Sequence, residues 1–547
     1  MKSYDLVTPA GTSDLLPPEV KRLRAAENAL CTLFEAHGFS EIATTELEFM
    51  DVFNLKSRHF PSEGLYKAID DKGRLLALRP DSTMPIARLA ASRLRAYSSL
   101  KLYYNQKVYR NSPGARRRND ELRQMGVELI GEQAGINSDL ETAKLALDIF
   151  GLLPEGTKCI LEIGDIGITK MLLELLPVSV EIKEQLRNAV ETKNSPELDE
   201  ILKGIDCDEG LKKQLLKLPT LYGNESSFEK AFSIFTDNAV LGRITKLHEF
   251  YQKLVSLNDR KNTYITVDFG CANKMDYYTG TIIRGYIENA GEAVINGGRY
   301  DNLISEFDSS LNKPAIGFAV NMDIFAANLQ AEKISNTPHK LRIALTKGRL
   351  EKKAIELFEE IGFDCTEVHE KGRRLILNVK SSDLSFEVVL AKPNDVITYV
   401  ESGVCDLGIV GKDTILEDGG KFFEVLDLGF GRCRFAVAGK KGLKTSTAIK
   451  TIATKYPKVA RSFYDGRGAD IDIVKIEGSV ELAPLLGLSD AIVDIVETGS
   501  TLVENGLEVY EDIVNLSARL IANRVSLKMY RNDIRKLFKD IKSKLKD

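Results

Sequence analysis

The chain has 547 residues, more than one hydrophobic core usually serves, so about three or four structural domains are expected. Its 43% apolar and 28% charged residues are typical of a folded protein, and a formal charge of −4 excludes a general attraction to nucleic acid or membranes. No segment reaches the roughly 18 apolar residues of a membrane helix, and the first residues do not resemble a signal peptide. The seven cysteines are never spaced as CxxC, and the five histidines form no HExxH motif. We therefore expect a cytoplasmic protein without a disulfide framework, a zinc site or a structural transition metal.

The N-terminal half, residues 1–328, has a mixed pattern. A helix is predicted from about Pro18 to His37, where Gly38 follows, and longer strands such as LKLYYNQKVYR and ITVDFG come after it. This order predicts an α+β domain built on an antiparallel sheet.

Polar residues near 328–342 separate this half from a second patterned region, and we expect a linker at 329–340. Beyond it, LRIAL (341–345) predicts a strand and LEKKAIELFEEIG (350–362) an amphipathic helix that glycine closes. Further strands are predicted at VCDLGIVG, FAVAG, IDIVKIEG and AIVDIV. The alternation of strands and helices predicts α/β lobes with mostly parallel sheets.

The stretch DIVETGSTL (494–502) ends a buried strand in a run of small polar residues. Backbone N–H groups and hydroxyls at the start of the next helix, where the helix dipole adds about half a positive charge, suit a phosphate. These residues are Thr498, Gly499, Ser500 and Thr501. The acids before them, Asp494 and Glu497, would repel phosphate but accept hydrogen bonds from sugar hydroxyls. The order indicates a site for a phosphorylated ribose, although a tight turn whose hydroxyl caps the next helix is also compatible with it.

Two basic clusters lie at turns beside apolar strands. TKGRL (346–350) places Lys347 and Arg349 at the start of a helix, and KGRRLIL places Arg373 and Arg374 before another apolar run. Open α/β sheets bind ligands at strand-end turns, so the clusters and the ribose-phosphate loop together predict a substrate with several phosphates. Each cluster alone is also compatible with a solvated surface.

The C-terminal half resembles a known family along almost its whole length. The stretches that carry the resemblance, in the family's order, are RIALTKGRL, DVITYVESGVCDLGIVGKD, LDLGFGRCRFAVAG, IATKYP, EGSVELAPLLGLSDAIVDIVETGSTL and SARLIANR. Residues 341–547 resemble the short form of ATP phosphoribosyltransferase, the first enzyme of histidine biosynthesis. The resemblance implies a two-lobed, periplasmic-binding-protein-like α/β fold with the active site in its cleft, and we expect the second lobe at roughly 433–512.

The implied reaction joins N1 of ATP to C1 of 5-phosphoribosyl diphosphate and releases pyrophosphate, with Mg²⁺ held mainly through the diphosphate. By the resemblance, Arg349 and Arg373 neutralise the charge that builds on the departing pyrophosphate, and Lys347 assists. Fixed positive charge serves such a departure better than a proton shuttle. Residues 494–501 hold the ribose 5-phosphate. One position departs from the family: Lys392 replaces the usual arginine, so the bidentate contact of an arginine is not expected there.

The N-terminal half resembles a second family. The motifs are GTSDLLP (11–17), LRPDSTMPIAR (78–88), RNSPGARRRNDELRQMGVELIG (110–131), MDYYTG (275–280) and GGRYDNLI (297–304). Over roughly residues 5–326 this half resembles histidyl-tRNA synthetase, which implies a class II catalytic domain whose antiparallel sheet is flanked by helices. The transferase-like half stands in place of the synthetase's anticodon-binding domain.

Three positions depart from the synthetase pattern. Asn273 replaces an arginine that helps to activate the amino acid, and Ile324 replaces an arginine that lies under the adenine. Asn111 stands where a glutamate usually follows the arginine of the second motif. Losing two charged contacts of about 1.5–3 kcal/mol each weakens ATP handling by roughly 10²–10⁴-fold. We therefore expect no efficient adenylating enzyme.

The amino-acid pocket of the synthetase family is retained. The matching residues are Asp81, Thr83, Gln124, Glu128, Tyr277 and Tyr278. By the resemblance, the first three hold the ligand's α-amino group, and Glu128 and Tyr278 read the imidazole with Tyr277 beside them. A carboxylate and a phenol suit imidazole, which offers both an N–H and a lone pair. The YYTG motif alone is compatible with core packing, but the full set resembles the histidine-sensing regulatory subunit of the short-form transferase. We expect that subunit to be fused ahead of the catalytic one, with histidine as an allosteric feedback inhibitor.

Two other functions remain open. The basic run ARRR (115–118), beside Arg110 and Arg123, is compatible with a tRNA ligase or a tRNA-binding protein, although such a run is more typical of an exposed loop. The C-terminal fold also serves solute-binding modules, but a simple receptor needs neither the basic turns nor the sugar-phosphate loop. We expect ATP and 5-phosphoribosyl diphosphate as substrates, no nucleic acid or membrane partner, and a homo-oligomer, either a dimer or a tetramer.

Overall fold

The computed structural model describes residues 6–55, 60–111, 119–131, 135–272, 277–329, 339–442 and 449–545. The chain divides into two compact units, Met1–Thr337 and Pro338–Asp547. Most of the predicted linker, residues 330–338, lies outside the described residues. No helix in these ranges is long and apolar enough to cross a membrane.

The first unit combines short and long strands with helices. Its described strands are β1 (Ser40–Glu41), β2 (Leu47–Phe49), β3 (Lys67–Ile69), β4 (Leu75–Leu78), β5 (Ser99–Tyr109), β6 (Glu121–Gly131), β7 (Cys159–Asp165), β8 (Tyr222–Gly223), β9 (Thr263–Asp268), β10 (Thr281–Ile287), β11 (Ile295–Arg299) and β12 (Ala315–Asn321). Its described α-helices are α1 (Pro17–Ala36), α2 (Thr83–Ala91), α3 (Ile136–Phe150), α4 (Ile166–Glu174), α5 (Val180–Glu191), α6 (Ser195–Lys203), α7 (Glu209–Lys217), α8 (Ser226–Ile234), α9 (Asn238–Leu257), α10 (Leu303–Phe307) and α11 (Met322–Leu329). Short 3₁₀ helices are described at Met50–Phe53, Ser62–Gly64 and Leu218–Thr220.

One large sheet organises the first unit. In the described ranges its nine strands follow the order β1-β5-β6-β12-β11-β10-β7-β9-β8, and β2, β4 and β3 form a smaller sheet. The pairs β1–β5 and β7–β9 are parallel, and the other described pairs of the large sheet are antiparallel. The expected α+β domain with an antiparallel sheet and flanking helices is confirmed.

The first helix shows why the local sequence pattern predicted a helix here. Proline at the first position of α1 fits because the N–H that it lacks would have no partner inside the helix. Leu23, Leu30 and Phe34 recur at helical spacing and are buried in the main core of the unit. The chain leaves the helix through Gly38, whose φ of 79° favours glycine.

The second unit is an α/β structure with two sheets. Its described strands are β13 (Leu341–Thr346), β14 (Ile376–Lys380), β15 (Ser385–Ala391), β16 (Leu407–Gly411), β17 (Phe423–Asp427), β18 (Cys433–Lys440), β19 (Thr451–Thr454), β20 (Asp472–Lys475), β21 (Ala491–Val496), β22 (Leu507–Leu516) and β23 (Ala518–Ala522). Its described helices are α12 (Arg349–Glu360), α13 (Thr366–His369), α14 (Pro393–Glu401), α15 (Lys412–Asp418), α16 (Pro457–Asp465), α17 (Leu482–Leu485), α18 (Ser500–Glu504), α19 (Arg524–Met529) and α20 (Arg531–Lys542).

Each sheet forms one lobe. Among the described residues, the first lobe has the strand order β14-β15-β13-β16-β23-β17 and the second has β20-β19-β21-β18-β22. The pattern predicted mostly parallel sheets, and that detail was wrong because both sheets are mixed. Strands β14 and β15 are antiparallel, since the connection at 381–384 is too short for the crossover that parallel neighbours need. Strands β18 and β23 also run antiparallel to their neighbours.

The chain crosses between the lobes twice, after β17 and after β22. Asp427 ties the two crossings together: its Oδ1 accepts hydrogen bonds from Ser517 Oγ at 2.6 Å and from the backbone N of Gly429 at 2.9 Å. The lobes are therefore joined along one side, and the ends of β13 and β21 lie in the cleft that this junction leaves, where Arg349 of the first lobe meets Glu497 of the second.

Candidate functional site

A cavity of about 230 Å³ in the first unit gathers all six predicted amino-acid-binding residues. We call it the amino-acid cavity, and those six residues are Asp81, Thr83, Gln124, Glu128, Tyr277 and Tyr278. They come from the start of α2, from β6 and from the segment before β10. The cavity is also lined by Tyr104, Arg110, Asn296 and Tyr300, which the sequence did not assign to it.

Glu128 is held rigidly at this cavity. Its Oε1 accepts a hydrogen bond from Thr83 Oγ1 at 2.8 Å, and its Oε2 accepts one from the Tyr300 hydroxyl at 2.5 Å. Burial raises the pKa of Glu128 to about 7, against which these two donors act. The Thr83 hydroxyl thus serves Glu128, a contact that the predicted role at the α-amino group did not include. Tyr300 belongs to the GGRYDNLI motif, which was the available signal for it.

Two glycines leave room for these side chains. A β-carbon at Gly317 would lie 1.9 Å from Glu128 Oε2, and one at Gly126 would lie 2.4 Å from the Tyr104 hydroxyl. Both distances are far below van der Waals contact, so the cavity requires glycine at these strand positions.

Asp81 has an acceptor atom without a partner at the cavity. Its Oδ1 accepts from the backbone N of Met84 at 3.1 Å, while its Oδ2 is buried and has no hydrogen-bond partner in the part of the chain that the structure describes. Burial raises the pKa of Asp81 to about 6, and the Arg110 cation opposes that shift. A buried oxygen without a donor is costly, so this atom points to a ligand that brings a positively charged donor.

Aromatic rings form one wall of the cavity. The Tyr277 and Tyr278 ring centroids are 4.6 Å apart, and the Tyr300 ring meets that of Tyr277 edge-on at 6.0 Å. Such a wall suits a flat ring of the ligand.

The departures from the synthetase pattern have structural partners of their own. Asn111 donates from Nδ2 to the backbone O of Glu63 at 2.9 Å, and Ile324 packs against the main core. Asn273 and the basic run 115–118 lie outside the described residues. Arg123 forms an ion pair with Glu121 at 3.2 Å.

In the second unit, the predicted cations lie at one edge of the first-lobe sheet. Lys347 follows β13 and Lys392 follows β15, and the backbone N of Lys347 donates to Ala391 O at 2.9 Å. Arg373 precedes β14, whose start lies beside the end of β15 because the two strands are antiparallel. Lys347, Arg373 and Lys392 are exposed. The neighbouring Arg374 instead pairs with Glu367 at 2.9 Å.

Arg349 and Glu497 meet across the cleft. Arg349 begins α12 in the first lobe, and its Nη1 donates to Glu497 Oε2 of the second lobe at 2.6 Å. The predicted pyrophosphate-binding arginine is therefore paired with a predicted ribose-binding acid. A substrate that uses both side chains must replace this ion pair.

The predicted phosphate loop follows β21 directly. Gly499 has a φ of 83°, and the Thr498 and Ser500 hydroxyl oxygens lie 3.0 Å apart on the two sides of it. Helix α18 begins at Ser500 and has five residues, so it contributes a weaker dipole than a long helix would. Thr501 is exposed and lies in the first turn of α18. The hydroxyls and the turn N–H groups are the main donors here.

Asp494 lies within β21 and not in the loop after it. Burial raises the pKa of Asp494 and that of Asp413, a first-lobe acid that the sequence did not single out. Lys455 lies near enough to both carboxylates to lower these pKa values in part. Burial, with a smaller effect of the Asp413 carboxylate, raises the pKa of the Tyr456 phenol. The motifs GIVGKD and IATKYP contain these further cleft residues.

The described residues contain no group of three or more His, Cys, Asp or Glu side chains that could hold a metal ion. Asp494 of β21 and Glu497, which follows that strand, are the carboxylates next to the predicted phosphate loop. One or two carboxylates together with substrate phosphates are the usual ligands of Mg²⁺, so this donor set fits an ion that arrives with a diphosphate.

Comparison with known proteins identifies two families in one chain. Residues 11–324 match the family model described as histidyl-tRNA synthetase, and residues 392–543 match the one described as ATP phosphoribosyltransferase. The ATP phosphoribosyltransferase of Clostridium kluyveri is 55% identical over 210 residues, which cover 38% of this chain and 95% of that protein. The Clostridium novyi enzyme is 54% identical over 204 residues, covering 37% of this chain and 96% of that protein. A solved Bacillus halodurans structure, described as an ATP phosphoribosyltransferase regulatory subunit/histidyl-tRNA synthetase, has a TM-score of 0.53 at 28% identity and covers 72% of this chain and 94% of its own.

Proposed function

The chain belongs to the histidyl-tRNA synthetase family through its first unit and to the ATP phosphoribosyltransferase family through its second, and we propose that histidine bound to the first unit inhibits the transferase. The enzyme performs the first step of histidine biosynthesis, in which N1 of ATP replaces pyrophosphate at C1 of 5-phosphoribosyl diphosphate. We place it in the cytoplasm as a homo-oligomer.

The observation that carries the regulatory proposal is the amino-acid cavity. The unpartnered Oδ2 of Asp81 suits the ammonium group of an amino acid. Glu128, fixed by its two hydroxyl donors, accepts the imidazole N–H, and Tyr278 contacts the other side of the ring. Gln124 completes the α-amino site. These groups together match histidine better than an amino acid without a ring nitrogen.

In the cleft, the second unit's own cations bind the leaving group. Arg349 exchanges Glu497 for the diphosphate, while Arg373 and Lys347 add positive charge from the same edge of the first-lobe sheet. Because adenine N1 already carries a lone pair, the attack needs no general base, and fixed cations stabilise the charge that builds on the pyrophosphate. The hydroxyls and N–H groups of residues 498–501 hold the 5-phosphate.

We propose Mg²⁺ as the metal. It would be held mainly by diphosphate oxygens, with Asp494 and Glu497 as the available protein carboxylates. When bound, the ion neutralises negative charge on the diphosphate. Arg349 would contact the same diphosphate directly.

The structure of the first unit favours a sensor over a ligase. Ile324 and Asn111 supply neither of the charged contacts that ATP activation uses in the synthetase pattern, and both have partners within the fold. Neither residue is among those that line the amino-acid cavity in the described part of the chain. We therefore expect histidine to bind this cavity in the absence of ATP.

The test is an assay of the full chain with ATP, 5-phosphoribosyl diphosphate and Mg²⁺, in which the ultraviolet-absorbing adduct is followed as histidine is added. In an assay above pH 7, where Glu128 is ionised, Glu128→Gln removes a charged acceptor worth about 1.5–3 kcal/mol, so the histidine Kd is expected to rise roughly 10–150-fold. Glu121→Gln, an acid at the start of the same strand, is the matched control and should bind histidine as the wild type does.

Three results would contradict these assignments. Absence of adduct from properly assembled protein would end the transferase assignment. Wild-type inhibition in Glu128→Gln would remove the amino-acid cavity as the histidine site. Histidine-dependent pyrophosphate exchange without 5-phosphoribosyl diphosphate would favour a ligase.

A further inference from the structure

A helical region between β7 and β9 contacts the chain that leads into the amino-acid cavity. This region contains helices α4 to α9, and the contact is made by the end of α5 and the turn after it. The contacted segment, Asp268–Ala272, follows β9. Tyr277 is the next described residue along the chain and lines the cavity.

Glu191, the last residue of α5, bridges this segment to the sheet. Its Oε2 accepts from the backbone N of Ala272 at 2.9 Å, and its Oε1 accepts from Arg284 Nη2 of β10 at 2.7 Å. Each of the two charged side chains is 12% exposed, so water screens the ion pair little. Arg284 lies directly across from Asn296 of β11, which lines the amino-acid cavity.

A second buried ion pair fixes the other end of the same segment. Lys193 Nζ donates to Asp268 Oδ1 at 2.6 Å, with the two side chains 3% and 1% exposed, and the same oxygen accepts from the backbone N of Gly270 at 2.9 Å. Lys193 has a φ of 56°, a left-handed conformation that normally favours glycine. A lysine in this position at the end of a helix is explained by its contact with Asp268.

The electrostatic environment also connects Arg284 with the cavity. Burial raises the pKa of Tyr278, and the positive charge of Arg284 partly offsets that effect. Arg284 therefore lies within electrostatic range of a ring that we assign to imidazole recognition. Ile282, on the same face of β10, packs in a small cluster with Cys271 and Tyr278.

We propose that Glu191 and Arg284 are positioning residues for the histidine site, which couple the docking of α5 to occupancy of the amino-acid cavity. Glu191 holds Ala272 and Arg284 together, and Arg284 lies across from Asn296, which lines the cavity. Because the coupling is thermodynamic, any affinity that docked α5 adds to histidine binding is matched by the stabilisation that histidine adds to α5 docking. The inference rests on the proposed function, since it takes histidine as the ligand.

The test measures histidine binding and amide exchange on the full chain. Glu191→Ala removes both hydrogen bonds and is expected to raise the histidine Kd roughly two- to thirty-fold, the range for residues that couple to a site without touching the ligand. Glu191→Gln keeps an oxygen for the Ala272 N–H and should recover part of that loss. Glu181→Gln makes the same charge change on an exposed position of α5 and should leave the Kd unchanged.

Hydrogen–deuterium exchange separates coupling from a purely structural role. In the wild type, histidine should slow amide exchange in α5 as well as in β6, which lines the cavity. In Glu191→Ala, the effect on β6 should persist at saturating histidine and the effect on α5 should disappear.

The inference is overturned if Glu191→Ala binds histidine with wild-type affinity, or if wild-type α5 exchanges at the same rate with and without histidine. In both cases the proposed histidine regulation would survive. A wild-type protein that binds no histidine would instead refute the regulatory function itself, and the coupling with it.

Discussion

Replacing Glu497 with glutamine should make the enzyme bind pyrophosphate more tightly. In the structure Glu497 occupies Arg349, one of the cations that we assign to the leaving group. Inorganic pyrophosphate has no ribose, so it cannot use Glu497 as a hydroxyl acceptor. Its affinity therefore reports the competition for Arg349, and sugar binding by Glu497 does not contribute to it.

The size of the effect follows from the exposure of the ion pair. The Nη1–Oε2 distance between Arg349 and Glu497 is 2.6 Å, but the side chains are 62% and 53% exposed. Exposed pairs contribute about 0.2–1 kcal/mol, so removing the competing carboxylate should lower the pyrophosphate Kd by roughly 1.4- to 5-fold. The gain should shrink as salt is added, because exposed charges are screened.

Isothermal titration of pyrophosphate into ligand-free enzyme without Mg²⁺ measures this change, because Glu497 is also one of the carboxylates proposed for the ion. Glu511→Gln is the matched control, because Glu511 forms a comparable exposed pair with Arg467 of the second lobe. An unchanged or weakened pyrophosphate affinity in Glu497→Gln would refute the reasoning that the ion pair competes with the leaving group.

Three further changes test the two sites. Burial raises the pKa of Glu128 from an ordinary 4.5 to about 7, so the folded state binds this proton more tightly than the unfolded chain. The resulting stability, about 3 kcal/mol, is present below pH 4.5 and is lost as pH rises through 7. In Glu128→Gln, the free energy of unfolding should not show this decrease between pH 5 and 8. Gly317→Ala forces a β-carbon against Glu128 and should cost about 1–3 kcal/mol in thermal unfolding and abolish histidine binding in titrations, whereas Gly280→Ala, whose nearest neighbour is 3.4 Å away, should do neither. Gly499→Ala strains a left-handed position by about 1–2 kcal/mol and should raise the KM for 5-phosphoribosyl diphosphate in steady-state assays, while Gly478→Ala, with open space around it, should not.

Local structure was predictable because it depends on neighbouring residues. The apolar run AIVDIV predicts the strand that the structure shows at Ala491–Val496, and the helix predicted at 350–362 is present at Arg349–Glu360. Strand order was not predictable in the same way. Strand β23 lies between β16 and β17 because the chain returns from the second lobe, and no local pattern records that return.

The candidate sites likewise have features that sequence motifs predicted and features that only the fold reveals. The six residues of the amino-acid cavity came from motifs that resemble a known family, and the structure places them around one space. Tyr300 was missed because its partner Glu128 is 172 positions away, so only the fold reveals the hydrogen bond. The pairing of Arg349 with Glu497, 148 positions apart, was also missed, although both residues had been identified separately.

The most direct test of the whole account is the linkage between the two ligands on the full chain. The affinity for 5-phosphoribosyl diphosphate is measured with and without saturating histidine, and the affinity for histidine with and without saturating 5-phosphoribosyl diphosphate. Each ligand is expected to weaken binding of the other by the same factor, roughly 5- to 150-fold. Histidine that binds the amino-acid cavity and changes neither the affinity for 5-phosphoribosyl diphosphate nor the rate of adduct formation would contradict it.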